Sequence, residues 1–128
     1  MATIDDAASI ASALPEVTQD ERRGNLTWSV GKKVFAWDRP FSKADLKRFG
    51  AEKPPEGPIL AVRVEDLAEK EAVLAAHPES FFTIPHFNGF SAILIQLTKV
   101  TEPELREALT DGWLACAPPN LARDYLAR

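Results

Sequence analysis

The sequence has very few residues of the kinds that build covalent cross-links or metal centres. Its 128 residues include one cysteine, Cys116, and two histidines, His77 and His86. One cysteine excludes an internal disulfide and a cysteine zinc cluster, and the histidines have no further ligand at a suitable spacing. We therefore expect no metal and no cofactor, and we expect Cys116 to be a small buried apolar residue.

Long apolar runs are also missing. None approaches the roughly 18 residues needed to span a membrane, and the first twelve residues carry Asp5 and Asp6 rather than a basic flank and an apolar segment. The composition, 45% hydrophobic and 27% charged, is that of an ordinary globular domain. These features predict one domain covering residues 1–128 in a cytoplasmic protein with no membrane segment, and a monomer is the default expectation.

Recognisable catalytic motifs are absent as well. Ser80, Ser91 and Asp111 would form a hydrolase triad with His86 only by arbitrary choice, because no G-x-S-x-G pattern is present. The segment "FNGF" has a single glycine and no following P-loop lysine, so it is not a phosphate-binding loop. We therefore predict a protein that is not an enzyme.

Charge is distributed unevenly along the chain. The net charge is −4, yet the segment 22–53 holds nine Lys and Arg against three Asp and Glu. This asymmetry favours a basic surface that binds nucleic acid, DNA being the expected partner, weakly and in a salt-dependent manner. Trp28 or Trp37 would stack on bases if exposed. The alternative is an ordinary solvated face. The residues expected to contact phosphate are Arg22, Arg23, Lys32, Lys33, Arg39, Lys47 and Arg48.

Hydrophobic periodicity and breakers predict an α+β fold with two layers, in which an antiparallel sheet carries helices packed on one face. Residues 15–25 are predicted to be a polar loop. Ser42 is a candidate helix cap, and Thr101 with Glu104 has capping-box spacing. The predicted helices are 5–14, a short one from Ser42 to near Gly50, 65–77, one from Thr101 to Cys116 and a tail helix over 121–127; the predicted strands are a hairpin over 26–37, 59–64 and 92–97.

The hairpin "LTWSVGKKVFAW" allows a prediction of register. Gly31 suits the first central position of a type II′ turn. With Val30 opposite Lys33, Trp28 would face Phe35 and Leu26 would face Trp37. This register places the bulky side chains together on the face that we expect to be the core.

The stretch "FFTIPHFNGF", residues 81–90, is rich in aromatic residues and turn formers. Pro85 favours an extended residue before it, and Asn88-Gly89 predicts a tight turn with positive φ. We expect His86 to stabilise this turn through a hydrogen bond to a backbone carbonyl. The alternative is a pocket near His86 and Phe87 for a small ligand or a protein partner. The four phenylalanines are expected to lie mostly in the core, with at most one or two on a rim.

Four segments in order resemble the MmcQ/YjbR family: "ALPEV", "WSVGKKVFAW", "HPESFFTIPHFNGFSAILIQL" and "ELREALTDGWLACAP". The resemblance covers nearly the whole chain. It departs from the family pattern at Lys32, where a second glycine is usual, at Gly112, where alanine is usual, and in a longer 39–58 connection. The resemblance implies a CyaY-like α+β fold described as a double wing, with a suggested role in DNA binding, and it implies no catalytic residues.

Overall fold

A computed structural model describes residues 2–128, which form an antiparallel sheet of six strands and five α-helices. The strands pair in the order β1-β2-β3-β4-β6-β5. The predicted α+β class with an antiparallel sheet is confirmed. The strands are β1 (Thr18–Arg22), β2 (Asn25–Val30), β3 (Lys33–Asp38), β4 (Ile59–Arg63), β5 (Phe81–Phe82) and β6 (Ala92–Gln96), and the helices are α1 (Ile4–Ser12), α2 (Lys43–Phe49), α3 (Leu67–Ala76), α4 (Glu102–Cys116) and α5 (Pro119–Leu126).

Helix starts follow the capping residues of the sequence. Ser42 caps α2 and Thr101 caps α4, each in a capping box with the acidic residue three positions later. The predicted apolar stripe of α4 is confirmed, since Leu105, Leu109 and Trp113 are fully buried. Cys116 at the end of α4 is buried, as expected for an apolar residue.

The sheet has a different cover on each face. Helices α1 and α4 pack over one face in the larger core cluster, together with side chains of α3 and α5. On the other face, a smaller cluster forms where Phe49 of α2 and Phe87 of the short 3-10 turn Pro85–Phe87 pack near β4, β5 and β6. The part of this second face formed by β1, β2 and the start of β3 lacks this cover, and we call it the open face.

The predicted polar loop over 15–25 is wrong in its second half, because residues 18–22 form strand β1. All five residues of β1 are exposed, and they pair in an antiparallel ladder with β2. Pairing with β2, and not burial of its own side chains, defines this edge strand. A polar strand of this kind has no alternating apolar pattern that the sequence could reveal.

The predicted turn and register of the next hairpin also need correction. Gly31 and Lys32 both have positive φ, at 56° and 69°, which is the type I′ pattern and not type II′. A bulge then pairs Trp28 with Ala36 and Thr27 with Trp37, leaving Phe35 unpaired. Because of this extra residue, Phe35 and Ala36 both join the larger core, whereas Trp37 packs against the cluster on the opposite face.

Helix α4 approaches the sheet closely at Gly112. A Cβ atom added there would lie 2.6 Å from Cγ1 of Val62 and 3.0 Å from the carbonyl oxygen of Arg63. The absent side chain is therefore what lets α4 lie directly on β4.

Candidate nucleic-acid interface

The open face ends in a groove of about 870 Å³ where the uncovered strands meet the 39–42 segment. We call it the basic groove. One carboxylate, Asp38, lies among its lining residues, and burial raises the pKa of that carboxyl. Its lining includes five cationic side chains, Arg22, Arg23, Lys33, Arg39 and Arg63, and three aromatic ones, Trp37, Phe41 and Phe90.

Three of the cations are free to contact a ligand. Arg22, Arg23 and Lys33 are exposed, and within residues 2–128 none of them forms an ion pair. Arg23 and Gly24 both have positive φ and form the two-residue turn that joins β1 to β2. Arg22 is the last residue of β1, directly before this turn. This hairpin and the start of β3 bring cations that are ten residues apart in sequence into one groove.

Arg39 is held in place by the protein. Its guanidinium lies 3.0 Å from the buried carboxylate of Asp45 and 5.6 Å from the centre of the Phe87 ring. Burial alone would raise the pKa of Asp45, but hydrogen bonds from Ser42 and the Arg39 charge outweigh it, so this pKa is below its usual value. The protein therefore holds the Arg39 guanidinium in place at the groove wall, with its charge balanced by that of Asp45.

Arg63 at the end of β4 is a groove residue that the sequence interpretation missed. Its Nε donates to the carbonyl oxygen of Ser91 at 3.2 Å, and its guanidinium lies 5.1 Å from the centre of the Phe90 ring. The available signal was a single arginine ending an otherwise apolar strand, "ILAVR". Such a residue projects its charge past the end of a buried element.

The two candidate stacking tryptophans differ in accessibility. Trp28 is fully buried and donates its indole N–H to Oε1 of Gln19 at 2.8 Å, so it is not available for stacking. Trp37 is half-buried in the groove, with its ring centre 6.3 Å from that of Phe90. Phe90 is 38% exposed, which confirms that one of the four phenylalanines lies on a rim.

The predicted tight turn carries Phe90. Asn88 has φ −60° and ψ 129°, and Gly89 has φ 75°, which is a type II turn closed by a 3.0 Å hydrogen bond from the Phe90 N–H to the Phe87 carbonyl. The positive φ of Gly89 is as predicted, whereas Asn88 keeps negative φ.

Lys70 of α3 stabilises this turn, and no sequence pattern indicates this role. It is buried, and its Nζ donates to the carbonyl oxygens of Phe87 at 2.6 Å and Phe90 at 2.8 Å. Burial lowers the pKa of Lys70. In sequence it is one of many helix lysines, and only the tertiary contact distinguishes it.

The other predicted cations lie outside the groove lining. Lys32 occupies the hairpin turn, Lys47 is exposed on α2, and Arg48 lies 3.8 Å from Asp45 on the same helix. The structure thus brings together Arg22, Arg23, Lys33 and Arg39 of the seven.

The alternative site has a different environment from the one expected. His86 is exposed, lies outside the basic groove, and makes no side-chain hydrogen bond within the described chain. Phe87 is 2% exposed and belongs to the smaller core cluster. The predicted role of His86 is therefore wrong, because Lys70 Nζ, and not the His86 ring, donates the side-chain hydrogen bonds to the backbone carbonyls of the turn.

Two further site types have no counterpart in the part of the chain that the structure describes. Residues 2–128 contain no group of three or more His, Cys, Asp and Glu side chains placed to hold a metal ion. Nor does any described helix have the length and apolar character that a bilayer crossing needs.

Comparisons with protein families, protein sequences and solved structures each find proteins similar to this chain. The YjbR family model matches residues 12–115. The uncharacterized proteins Mb2600 of Mycobacterium bovis and Rv2570 of Mycobacterium tuberculosis are each 42% identical to it over 130 residues, covering 99% of this chain and 98% of the relative. The crystal structure of Deinococcus radiodurans protein DR2400, which contains a DUF419 domain, aligns with this chain at a TM-score of 0.65 and 21% sequence identity. The alignment covers 99% of this chain and 89% of DR2400.

Proposed function

The chain belongs to the YjbR family, and we propose that it is a non-enzymatic module that binds single-stranded nucleic acid, DNA or RNA, in the basic groove. The observation that carries this proposal is the presence of five cationic side chains and three aromatic rings, none of them fully buried, in one groove on the open face. Phosphates would contact the cations, and bases would stack on the rings.

The groove suits a single strand better than a duplex. Its cations surround Trp37 and Phe90, and these rings offer stacking surfaces that only unpaired bases can use. The groove is built from strands and turns, so no recognition helix projects from it to read a major groove. We therefore expect weak binding with little sequence preference.

The test is a fluorescence anisotropy titration of a labelled oligothymidylate of about 15 nucleotides, a length that suits one domain. Single-strand binding releases about 0.7 counterions per phosphate contact, so three to five contacts give a slope of log K against log salt of about −2 to −3.5. A duplex of the same length should bind less tightly. Wild-type protein that shows no binding at about 50 mM salt, where phosphate contacts are strong, would refute the proposal.

Two variants with the same change in net charge distinguish the effect of the groove cations on binding from the effect of overall charge. The variant R22E/R23E/K33E should lose binding, whereas K47E/K99E/R123E, which changes exposed cations outside the groove lining by the same total charge, should retain most of it. Equal losses in the two variants would show that the basic groove is not the site. Circular dichroism of each variant provides the check on folding.

Tryptophan emission gives an independent measure of stacking. The chain has three tryptophans, and Trp28 and Trp113 are fully buried. Quenching by the oligonucleotide should therefore come from Trp37. The variant Trp37→Phe keeps an aromatic ring, so it should retain binding by anisotropy and lose the quenching. Undiminished quenching in this variant would argue against stacking in the groove.

A further inference from the structure

A second groove, of about 560 Å³, lies between α3 and α4 on the helix-covered side of the sheet. We call it the acidic groove. Small side chains on both helices leave space between them, and these are Ala72 and Ala76 on α3 and Ala108 and Ala115 on α4. Phe81 of β5 contributes to the same lining. The result is an apolar channel flanked by two helices.

The rim of this channel carries charge of one sign. No lysine or arginine is among its lining residues, whereas four carboxylates there, Glu65, Glu69, Glu107 and Asp111, have no ion-pair partner within residues 2–128. Burial, together with the charges of Glu107 and Glu69, raises the pKa of Asp111. The carboxylates therefore repel one another across the groove, and a bound cation would relieve that repulsion.

A fifth carboxylate of the groove lining, Glu104, already has partners within the protein. His77 Nδ1 lies 2.7 Å from Oε2 of Glu104. Hydrogen bonds from Thr101, and secondarily the contact with His77, lower the pKa of Glu104. This acidic residue thus serves the start of α4, and the four unpaired carboxylates remain for a partner.

We propose that the acidic groove is a docking site for a basic amphipathic helix of a partner protein. Apolar side chains on one stripe of that helix would enter the alanine-lined channel, and lysine or arginine residues beside the stripe would pair with the rim carboxylates. Two helices that flank a low apolar floor provide the shape that a third helix needs. The excess of unpaired carboxylates selects a basic partner over an acidic one.

The probe for this proposal is a labelled synthetic helix with leucines on one stripe and lysines elsewhere, and binding is measured by fluorescence anisotropy at near-physiological salt. We expect it to bind at least about tenfold more tightly than a peptide of the same composition in scrambled order, which has no stripe. Equal binding of the two peptides would overturn the proposal, because it would indicate general attraction between opposite charges.

Matched variants then locate the site. E69K/E107K should weaken peptide binding about tenfold or more, whereas E71K/D124K, which changes the net charge equally at exposed positions outside the groove lining, should not. Ala115→Trp fills the channel without changing charge and should also weaken binding. Equal loss in both charge variants, or full binding by Ala115→Trp, would refute the assignment. Self-association of the wild-type chain that E69K/E107K abolishes would make a second copy the occupant and would also overturn it.

Discussion

Replacing Lys70 with methionine tests whether a buried ammonium group stabilises the turn that carries Phe90. The substitution keeps most of the apolar stem and removes the donor of the two hydrogen bonds to the Phe87 and Phe90 carbonyls. Hydrogen bonds from a charged donor contribute about 1.5–3 kcal/mol each, so the pair would contribute about 3–6 kcal/mol if burial carried no cost.

Two features of the structure reduce that figure. Burial lowers the pKa of Lys70, so desolvation of the ammonium takes back part of the gain. Both carbonyls also keep a second donor, because the Phe90 N–H reaches the Phe87 oxygen at 3.0 Å and the Ala92 N–H reaches the Phe90 oxygen at 2.8 Å. We therefore expect Lys70→Met to lower the free energy of unfolding by about 2 kcal/mol and the Tm by roughly 6–10 °C.

Urea unfolding followed by circular dichroism measures the effect. Lys47→Met, at an exposed lysine of α2, is the control and should stay within about 0.5 kcal/mol of the wild type. Lys70→Glu should cost more, about 3–5 kcal/mol, because it buries an unpaired carboxylate among carbonyl oxygens. A Lys70→Met variant as stable as the control, or equal stabilities for Lys70→Met and Lys70→Glu, would refute the reasoning.

The difference in unfolding free energy between the wild type and Lys70→Met should also depend on pH, in a direction that the structure predicts. Because the folded-state pKa of Lys70 is lowered, the unfolded chain binds more protons between that pKa and the ordinary lysine value of about 10.4. The stability of the wild type relative to Lys70→Met should therefore rise as pH increases through this window. A difference that falls with pH there would contradict the burial of a charged amine.

Three other predictions concern the fold, each checked by urea unfolding. Gly112→Ala should destabilise the protein, because overpacking against Val62 and the Arg63 carbonyl costs about 1–3 kcal/mol and exceeds a helix-propensity gain of up to about 1 kcal/mol; a more stable variant would contradict the close approach. Gly89→Val should cost about 1–3 kcal/mol through backbone strain, since no atom beyond its chain neighbours lies within 4 Å of the added Cβ, and Gly89→Asn should cost less; equal costs would argue against positive φ. Asp45→Asn should be less stable than the wild type at neutral pH, and the difference should shrink as pH falls below the usual aspartate pKa of about 3.9 towards the lowered pKa of Asp45; a constant difference would show that its charge is not what matters.

Local signals in the sequence predicted the elements whose cause is local. Capping residues and apolar periodicity located α2 and α4, and the Asn88-Gly89 pair located the type II turn. Strand β1 escaped prediction because it is an exposed edge strand defined only by its pairing with β2.

Among the residues of the basic groove, too, only those with a local sequence signal were predicted. The density of basic residues over 22–53 indicated Arg22, Arg23, Lys33 and Arg39, but it could not separate them from Lys47, which faces elsewhere. The bulge at Phe35 decides that Trp37 lies in the groove, and a bulge depends on the packing of neighbouring strands. Arg63 and Lys70 act through partners more than 15 positions away, so no local pattern could reveal them.

The location of the two grooves on opposite sides of the sheet makes the molecule an electric dipole despite its modest net charge of −4. A dipole in the field of a polyanion experiences a torque as well as a force, so the chain would rotate during approach until the basic groove faces the strand. Under the two proposals above, that orientation would turn the acidic groove outward, where the proposed basic partner would reach it while the nucleic acid is bound. The same polarity should make the protein adsorb to both cation and anion exchangers at low ionic strength, with retention determined by the face it presents to each.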